Sequence, residues 1–204
     1  MTDTKRAVIL VSGGMDSAKA VYEAIDRGYE PHFLHTSYGQ RTEDKEQECA
    51  KALAEEVEAA DFLHVTTEHL SRIGASSLTD EEIAVEEADM DSDEIPQSYV
   101  PFRNANLLSM AVSYAEAQDC DAIFIGAHSE DFSGYPDCRP AFFDAFQQVI
   151  DAGTKPDTEI ELIAPFVEWS KTDIVDRGLE LDVPYETTWS CYQNDAPACG
   201  NCDA

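Results

Sequence analysis

The residues Val11-Ser12-Gly13-Gly14-Met15-Asp16-Ser17 follow the apolar run Ala7-Val8-Ile9-Leu10 and precede a stretch with helical spacing. A buried strand that enters a helix through Ser-Gly-Gly offers unpaired backbone N–H groups at the positive end of that helix. Such an end holds phosphate. The two glycines let the backbone approach the anion closely, the hydroxyls of Ser12 and Ser17 add donors, and Asp16 can hold Mg²⁺ between phosphate oxygens. No Gly-Lys-Ser/Thr follows the glycines, so this is not a Walker loop. The plainer alternative is an ordinary glycine turn, which leaves the acid and the hydroxyls without a use.

Three further segments add chemistry. In Tyr99-Val100-Pro101-Phe102-Arg103-Asn104 the proline keeps the approach extended, and Asn104 is a candidate cap for the helix carrying Leu107 and Leu108. Arg103 is then either a bidentate partner for a carboxylate or phosphate, or a solvated side chain beside a capped helix. The stretch from Gly126 to Arg139 (GAHSEDFSGYPDCR) gathers acids, an aromatic ring, a thiol and a guanidinium directly after a strand. An α/β enzyme places its substrate loop there. His128 alone fits a structural hydrogen bond as well as catalysis, and Cys138 beside Arg139 is either a low-pKa nucleophile or a packed thiol. Near the end, Cys191 stands eight residues before the Cys-x-x-Cys of Cys199 and Cys202. That spacing reads as a zinc site with thiolates at tetrahedral reach. Redox chemistry is the rival, but a redox Cys-x-x-Cys normally starts a helix in a thioredoxin-like unit. Zinc takes four ligands, and a fourth Cys at the same spacing would fall one residue past Ala204.

The elements that must position these residues alternate. Short β-branched or aromatic runs predict strands at Ala7–Val11, His32–Thr36, Asp61–Thr66 and Ala122–Gly126, with a weaker fifth at Glu159–Leu162. Helical spacing predicts helices over Asp16–Arg27, Thr42–Ala60, Asn104–Gln118, Arg139–Ala152 and Ser170–Leu181. The fold expected is an α/β, doubly wound, mostly parallel five-stranded sheet with helices on both faces, which binds ligands beyond the carboxyl ends of its strands. Residues 1–185 would form this unit and residues 186–204 a Cys-rich tail. The acid-dense stretch from Glu81 to Gln97 reads as an exposed insertion or lid.

The chain has 204 residues, 43% of them hydrophobic, enough to bury a sizeable core. It lacks a signal-peptide pattern and any apolar run able to cross a bilayer, so a cytoplasmic, non-membrane protein is expected. Against 13 basic residues stand 42 acidic ones, a formal net charge of −29. The acids are scattered instead of gathered in a tail, and the regular alternation of elements argues against disorder. Adaptation to high salt explains them: ions screen the repulsion while a hydrated acidic surface keeps the protein dissolved. The same surface disfavours stable nucleic-acid binding.

Together, VSGGMDS, SYVPFRN…LLS, GAHSEDFSGYPDCRPAF, SKTDIV and WSCY…CGNC resemble the QueC family of 7-cyano-7-deazaguanine synthases, within the PP-loop ATP pyrophosphatase superfamily. The likeness covers almost the whole chain. The loop alone is shared with synthetases of GMP and NAD and with tRNA-thiolating enzymes, whereas SGYPDCR with the Cys cluster is far more specific. The resemblance implies a fold like the adenine nucleotide alpha-hydrolases and the substrates 7-carboxy-7-deazaguanine, ammonia and ATP. It further implies Mg²⁺, structural Zn²⁺, a homodimer and a haloarchaeal source. It assigns the nucleotide to the run Val11, Ser12, Gly13, Gly14, Met15, Asp16, Ser17, Ala18, Lys19, Ala20 and Val21, with His35 and Tyr38 beside adenine or ribose. Asp16, Ser17, Lys171 and Asp131 would take part in the chemistry. Arg103, Asp131, Tyr135, Asp137, Cys138 and Arg139 would form the deazaguanine pocket, and Cys191, Cys199 and Cys202 would hold zinc. The rival readings are a tRNA sulfur transferase with the same adenylation loop and a nucleotide-binding regulator without chemistry.

Overall fold

A computed structural model describes residues 4–80, 82–85, 95–128 and 135–202. Along the chain run β1 (Arg6–Leu10), α1 (Met15–Asp26), β2 (Glu30–Ser37), α2 (Glu43–Glu56), β3 (Asp61–Thr66) and α3 (His69–Ile73). They are followed by α4 (Arg103–Ala117), β4 (Ala122–Ile125), α5 (Pro140–Gly153), β5 (Glu161–Ile163) and α6 (Lys171–Glu180). The five strands form one sheet in the order β3-β2-β1-β4-β5, and every pairing is parallel. Strand β1 is therefore central, with β2 on one side and β4 on the other.

The period of two in β1 separates two cores. Ala7 and Ile9 join Phe33 and Phe124 beneath α1, α2 and α6, with Ala18, Val21, Leu53 and Ile174 packed against them. Val8 and Leu10 join Leu34, Ile123 and Ile125 beneath α4 and α5, with Leu108, Ala111, Phe143 and Ile150. Burial on both faces explains why β1 and β4 read as unbroken apolar runs. No helix among the described residues is long and apolar enough to cross a membrane.

The strand and helix expectations hold with shifted ends. Helix α2 stops at Glu56, not Ala60, because Glu58 takes a positive φ of 52° and turns the chain so that Ala60 N–H reaches Pro31 O. The fifth strand pairs from Glu161 to Ile163, beginning two residues and ending one residue later than its apolar run suggested. A turn closed by Thr158 N–H on Lys155 O occupies the stretch before it. Helix α3 was not expected, since five residues are too few to establish a helical period. The approach to α4 differs too: Phe102, not an extended residue, precedes the helix with φ 57°. The expected lid lies mostly outside the described residues, at 81 and 86–94.

Candidate active site

Beyond the carboxyl ends of β1, β2 and β4 lies a cleft of about 360 Å³. Its floor is the loop between β1 and α1. Gly14 is the residue before α1, and no side chain caps that helix. The N–H groups of its first turn lack helical partners, so a positive end faces the cleft. Within the loop, Ser17 Oγ donates to Gly14 O at 2.9 Å, and Gly14 N–H donates to Ser12 Oγ at 3.2 Å. The Ser12 and Ser17 hydroxyls lie 3.1 Å apart. This lattice fixes the loop before any ligand arrives.

The two glycines have different reasons to be glycine. Gly13 has φ 91°, and a Cβ there would lie 2.3 Å from the Glu46 carbonyl oxygen of α2. Gly14 has φ −86°, and the nearest atoms to an added Cβ are 3.4 Å away. Gly13 is demanded by the fold, while only close approach of something in the cleft demands Gly14. Gly126, at the end of β4, is a third such position. A Cβ there would stand 2.4 Å from Asp16 O, so this residue lets the first turn of α1 settle onto the sheet.

Asp16 stands at the cleft with Lys19 Nζ 2.6 Å from one carboxylate oxygen and His128 Nε2 3.4 Å from the other. Burial works against its charge, but His128 and Lys19 outweigh it and hold the carboxyl below its ordinary range. Lys19 is only 5% exposed, so its charge is held inside the site. Met15, Ser17 and Lys19 line the cleft, whereas Ala18, Ala20 and Val21 are core residues beneath it. His35 is fully buried, with Nδ1 2.8 Å from Val11 O; it braces the loop while Thr36 and Tyr38 line the cleft. Burial pushes the His35 pKa down.

On the opposite wall, Arg103 Nη1 donates to Tyr38 Oη at 3.0 Å and its guanidinium lies 6.0 Å from that ring's centre. Burial disfavours its charge, yet Tyr38 and neighbouring groups leave its pKa raised. Tyr135 and Cys138 also line the cleft. Asp137 does not. It is 3% exposed, and its Oδ2 accepts Asn104 N–H at 2.9 Å, while Asn104 Nδ2 donates to Asp137 O. The partner at the start of α4 is thus the Asp137 carboxylate, and the expected Asn104 cap is replaced by this reciprocal pair. Burial pushes the Asp137 carboxyl up, and the Asn104 bond offsets part of that. Asp137→Ala should cost about 1–2 kcal/mol by orphaning this N–H. Thermal unfolding should show a fall in Tm of about 2–8 °C; an unchanged Tm would deny Asp137 that job.

Arg139 is exposed, directly before α5, and outside the cleft lining. Lys171 is the first residue of α6, whose Ile174 and Val175 border the cleft. Asp131 lies outside the described residues.

The chain's last segment returns to the loop. Trp189 N–H donates to Gly13 O at 2.9 Å, and Trp189 Nε1 donates to Cys191 O. The Sγ atoms of Cys191, Cys199 and Cys202 all lie within 4.8 Å of one another. Tetrahedral zinc–thiolate geometry separates sulfurs by about 3.8 Å, so the triad fits a metal. The backbone N–H of Asn201 leads the effects that lower the Cys199 pKa to about 7.

Sequence reasoning placed Gly126 at the head of the substrate loop without its contact to α1, and missed the wall formed by Gln40, Thr42 and Glu46, from the first turn of α2 and the residues before it. Gly126 carried a signal, a glycine ending a strand. The wall carried only a polar run after β2.

Comparison with known proteins points to one family. The model of the family described as "Queuosine biosynthesis protein QueC" matches residues 6–204. A 7-cyano-7-deazaguanine synthase from Haloarcula marismortui is 76% identical over 100% of this chain and 88% of its own length. One from Methanoculleus marisnigri is 56% identical over 98% of this chain and 90% of its own. Among solved structures, a 4-thiouridine synthetase in an RNA complex with bound ATP matches with TM-score 0.51 and 21% identity, over 93% of this chain and 43% of that one. An NMN synthetase from Francisella tularensis matches with TM-score 0.52 and 16% identity, over 92% of this chain and 66% of that one. These structural likenesses concern the fold alone.

Proposed function

We infer the reaction from the premise that this chain belongs to the QueC family: it is an ATP-dependent ligase that makes 7-cyano-7-deazaguanine. The observation that carries the mechanism is the uncapped amino end of α1 behind Ser12, Gly13 and Gly14, sharing one cleft with the Arg103 guanidinium. A carboxylate is a poor electrophile, because its charge repels nucleophiles and oxide leaves badly. In the reaction we propose, the carboxylate oxygen of 7-carboxy-7-deazaguanine attacks the α-phosphorus of ATP, the bond to the β-phosphate bridge breaks, and pyrophosphate leaves. Loop N–H groups and the Lys19 ammonium stabilise charge on that leaving group, with Lys171 as a further cation. The Ser12 and Ser17 hydroxyls would join them by turning from their bonds within the loop. Ammonia attacks the acyl carbon, loses a proton, and expels AMP to give the amide. The amide oxygen then attacks the α-phosphorus of a second ATP, a second pyrophosphate leaves, and loss of AMP with both N–H protons gives the nitrile. The cleft has to keep water from either adenylate, since hydrolysis wastes ATP.

Asp16 would hold Mg²⁺, which neutralises charge on the phosphates. The deazaguanine would lie against Arg103, Tyr135 and Cys138, with Asp137 holding the start of α4 beside them. In this reading residues 1–185 form the ATP unit and 186–204 a tail that Cys191, Cys199 and Cys202 clamp to zinc. Cys199→Ser should release the metal and loosen the tail; unchanged metal content after dialysis rejects the site. We further propose a cytoplasmic homodimer from a halophile that supplies archaeosine synthesis and does not bind nucleic acid stably. Dilution from molar salt into dilute buffer should unfold it, since 42 carboxylates then repel unscreened; full stability there counts against salt adaptation.

The deciding experiment incubates the protein with the acid, ammonia and Mg-ATP in molar salt and seeks nitrile and AMP by mass spectrometry. Nitrile with two AMP per turnover is expected. Substrate-dependent AMP without nitrile points to another ligase, a tRNA-thiolating enzyme included. Tight ATP binding without turnover points to a regulator.

A further inference from the structure

Glu46, in the first turn of α2, presents a carboxylate to the cleft wall facing Arg103. Both of its oxygens are held. Thr42 Oγ1 donates to Oε1 at 2.8 Å, and Gln40 Nε2 donates to Oε2 at 3.0 Å. Gln40 is itself pinned, because its Oε1 accepts Tyr38 N–H at 2.8 Å. The carboxylate is thus aimed, and each oxygen keeps one lone-pair direction for a partner in the cleft. Burial pushes this carboxyl up, and the Gln40 and Thr42 hydrogen bonds and the Arg103 charge pull it back. A buried acceptor in that condition gains from more N–H donors.

The polyphosphate cannot be that partner, since like charges repel. A guanine-type ring can, because its N1–H and 2-amino N–H point the same way at the spacing of two carboxylate oxygens. Resting on the reading of the substrate given above, we propose that Glu46 determines specificity for the deazaguanine by accepting hydrogen bonds from its N1–H and 2-amino group. The backbone carbonyl of the same residue abuts Gly13. The ring edge and the phosphate loop are therefore gauged from one helical turn.

The test compares the full chain with Glu46→Gln in molar salt, using 7-carboxy-7-deazaguanine and its analogue lacking the 2-amino group. The parent should favour the 2-amino compound by about 10- to 100-fold in kcat/KM, the worth of one hydrogen bond to a charged group. In the variant, KM for the guanine compound should rise by a similar factor, KM for ATP should stay, and the preference should vanish. A preference kept in the variant overturns the proposal. So does a rise confined to KM for ATP, which would move Glu46 to the ribose, or an equal loss for both ring compounds alongside a lowered Tm. If the parent makes no nitrile, the reaction assigned above fails by itself. Calorimetric binding of the two ring compounds to parent and variant then decides on Glu46: a Glu46-dependent 2-amino preference upholds it, and none overturns it.

Discussion

Gly14→Val is expected to stay folded, at a cost of about 1 kcal/mol as a poorer residue before a helix, and to bind ATP at least ~100-fold more weakly, the loss of about two charge-assisted N–H contacts. Its backbone, at φ −86° and ψ 169°, suits any residue, and an added Cβ meets Ser12 Oγ and Trp189 O at an ordinary 3.4 Å. The backbone and the first carbon of a side chain are therefore accommodated here. What a side chain would obstruct is the approach of phosphate to the N–H groups of the loop. Gly13 gives the contrast, since substitution there drives carbon into the Glu46 carbonyl and damages the fold itself. Titration calorimetry and thermal unfolding in molar salt separate the two effects. Retained ATP affinity in Gly14→Val would remove the loop from its assigned job.

Asp16→Asn should slow pyrophosphate release by about 10²–10³-fold, the usual scale for losing one preorganised charge from a transition state. The amide can neither hold a cation well nor neutralise Lys19, whose ammonium lies 2.6 Å from the carboxylate and is nearly buried. A rate within about threefold of the parent would take Asp16 out of the chemistry. The substitution has a pH signature as well. Because the folded pKa lies below the ordinary 3.8, the stability Asp16 contributes is present above that value and is lost as pH falls through the lowered one. The variant should therefore lose less stability than the parent during acidification below pH ~4.

Periodicity along the chain was enough to establish the regular elements. Apolar runs of four to six residues set β1 to β4, and alternation with amphipathic stretches required parallel neighbours. The loop could be read as well, since Ser12 to Ser17 act through backbone groups and residues adjacent in the chain. The Cys191, Cys199 and Cys202 triad was legible for the same reason: its geometry is mostly local. The tertiary structure alone decided which side chains look into the cleft. Asp137 and Arg103 are both polar residues in promising segments, yet one ties down the start of α4 and the other faces the cavity. His35 and Thr36 are neighbours in one strand, and the alternation of side chains sends one beneath the loop and the other to the cleft. Gln40, Thr42 and Glu46 acquire meaning only once α2 packs against Gly13, and Gly126 only once β4 lies beside β1 under α1. Spacing along a chain reports contacts within a few residues; contacts between elements depend on how the sheet is ordered and how each helix is rotated upon it.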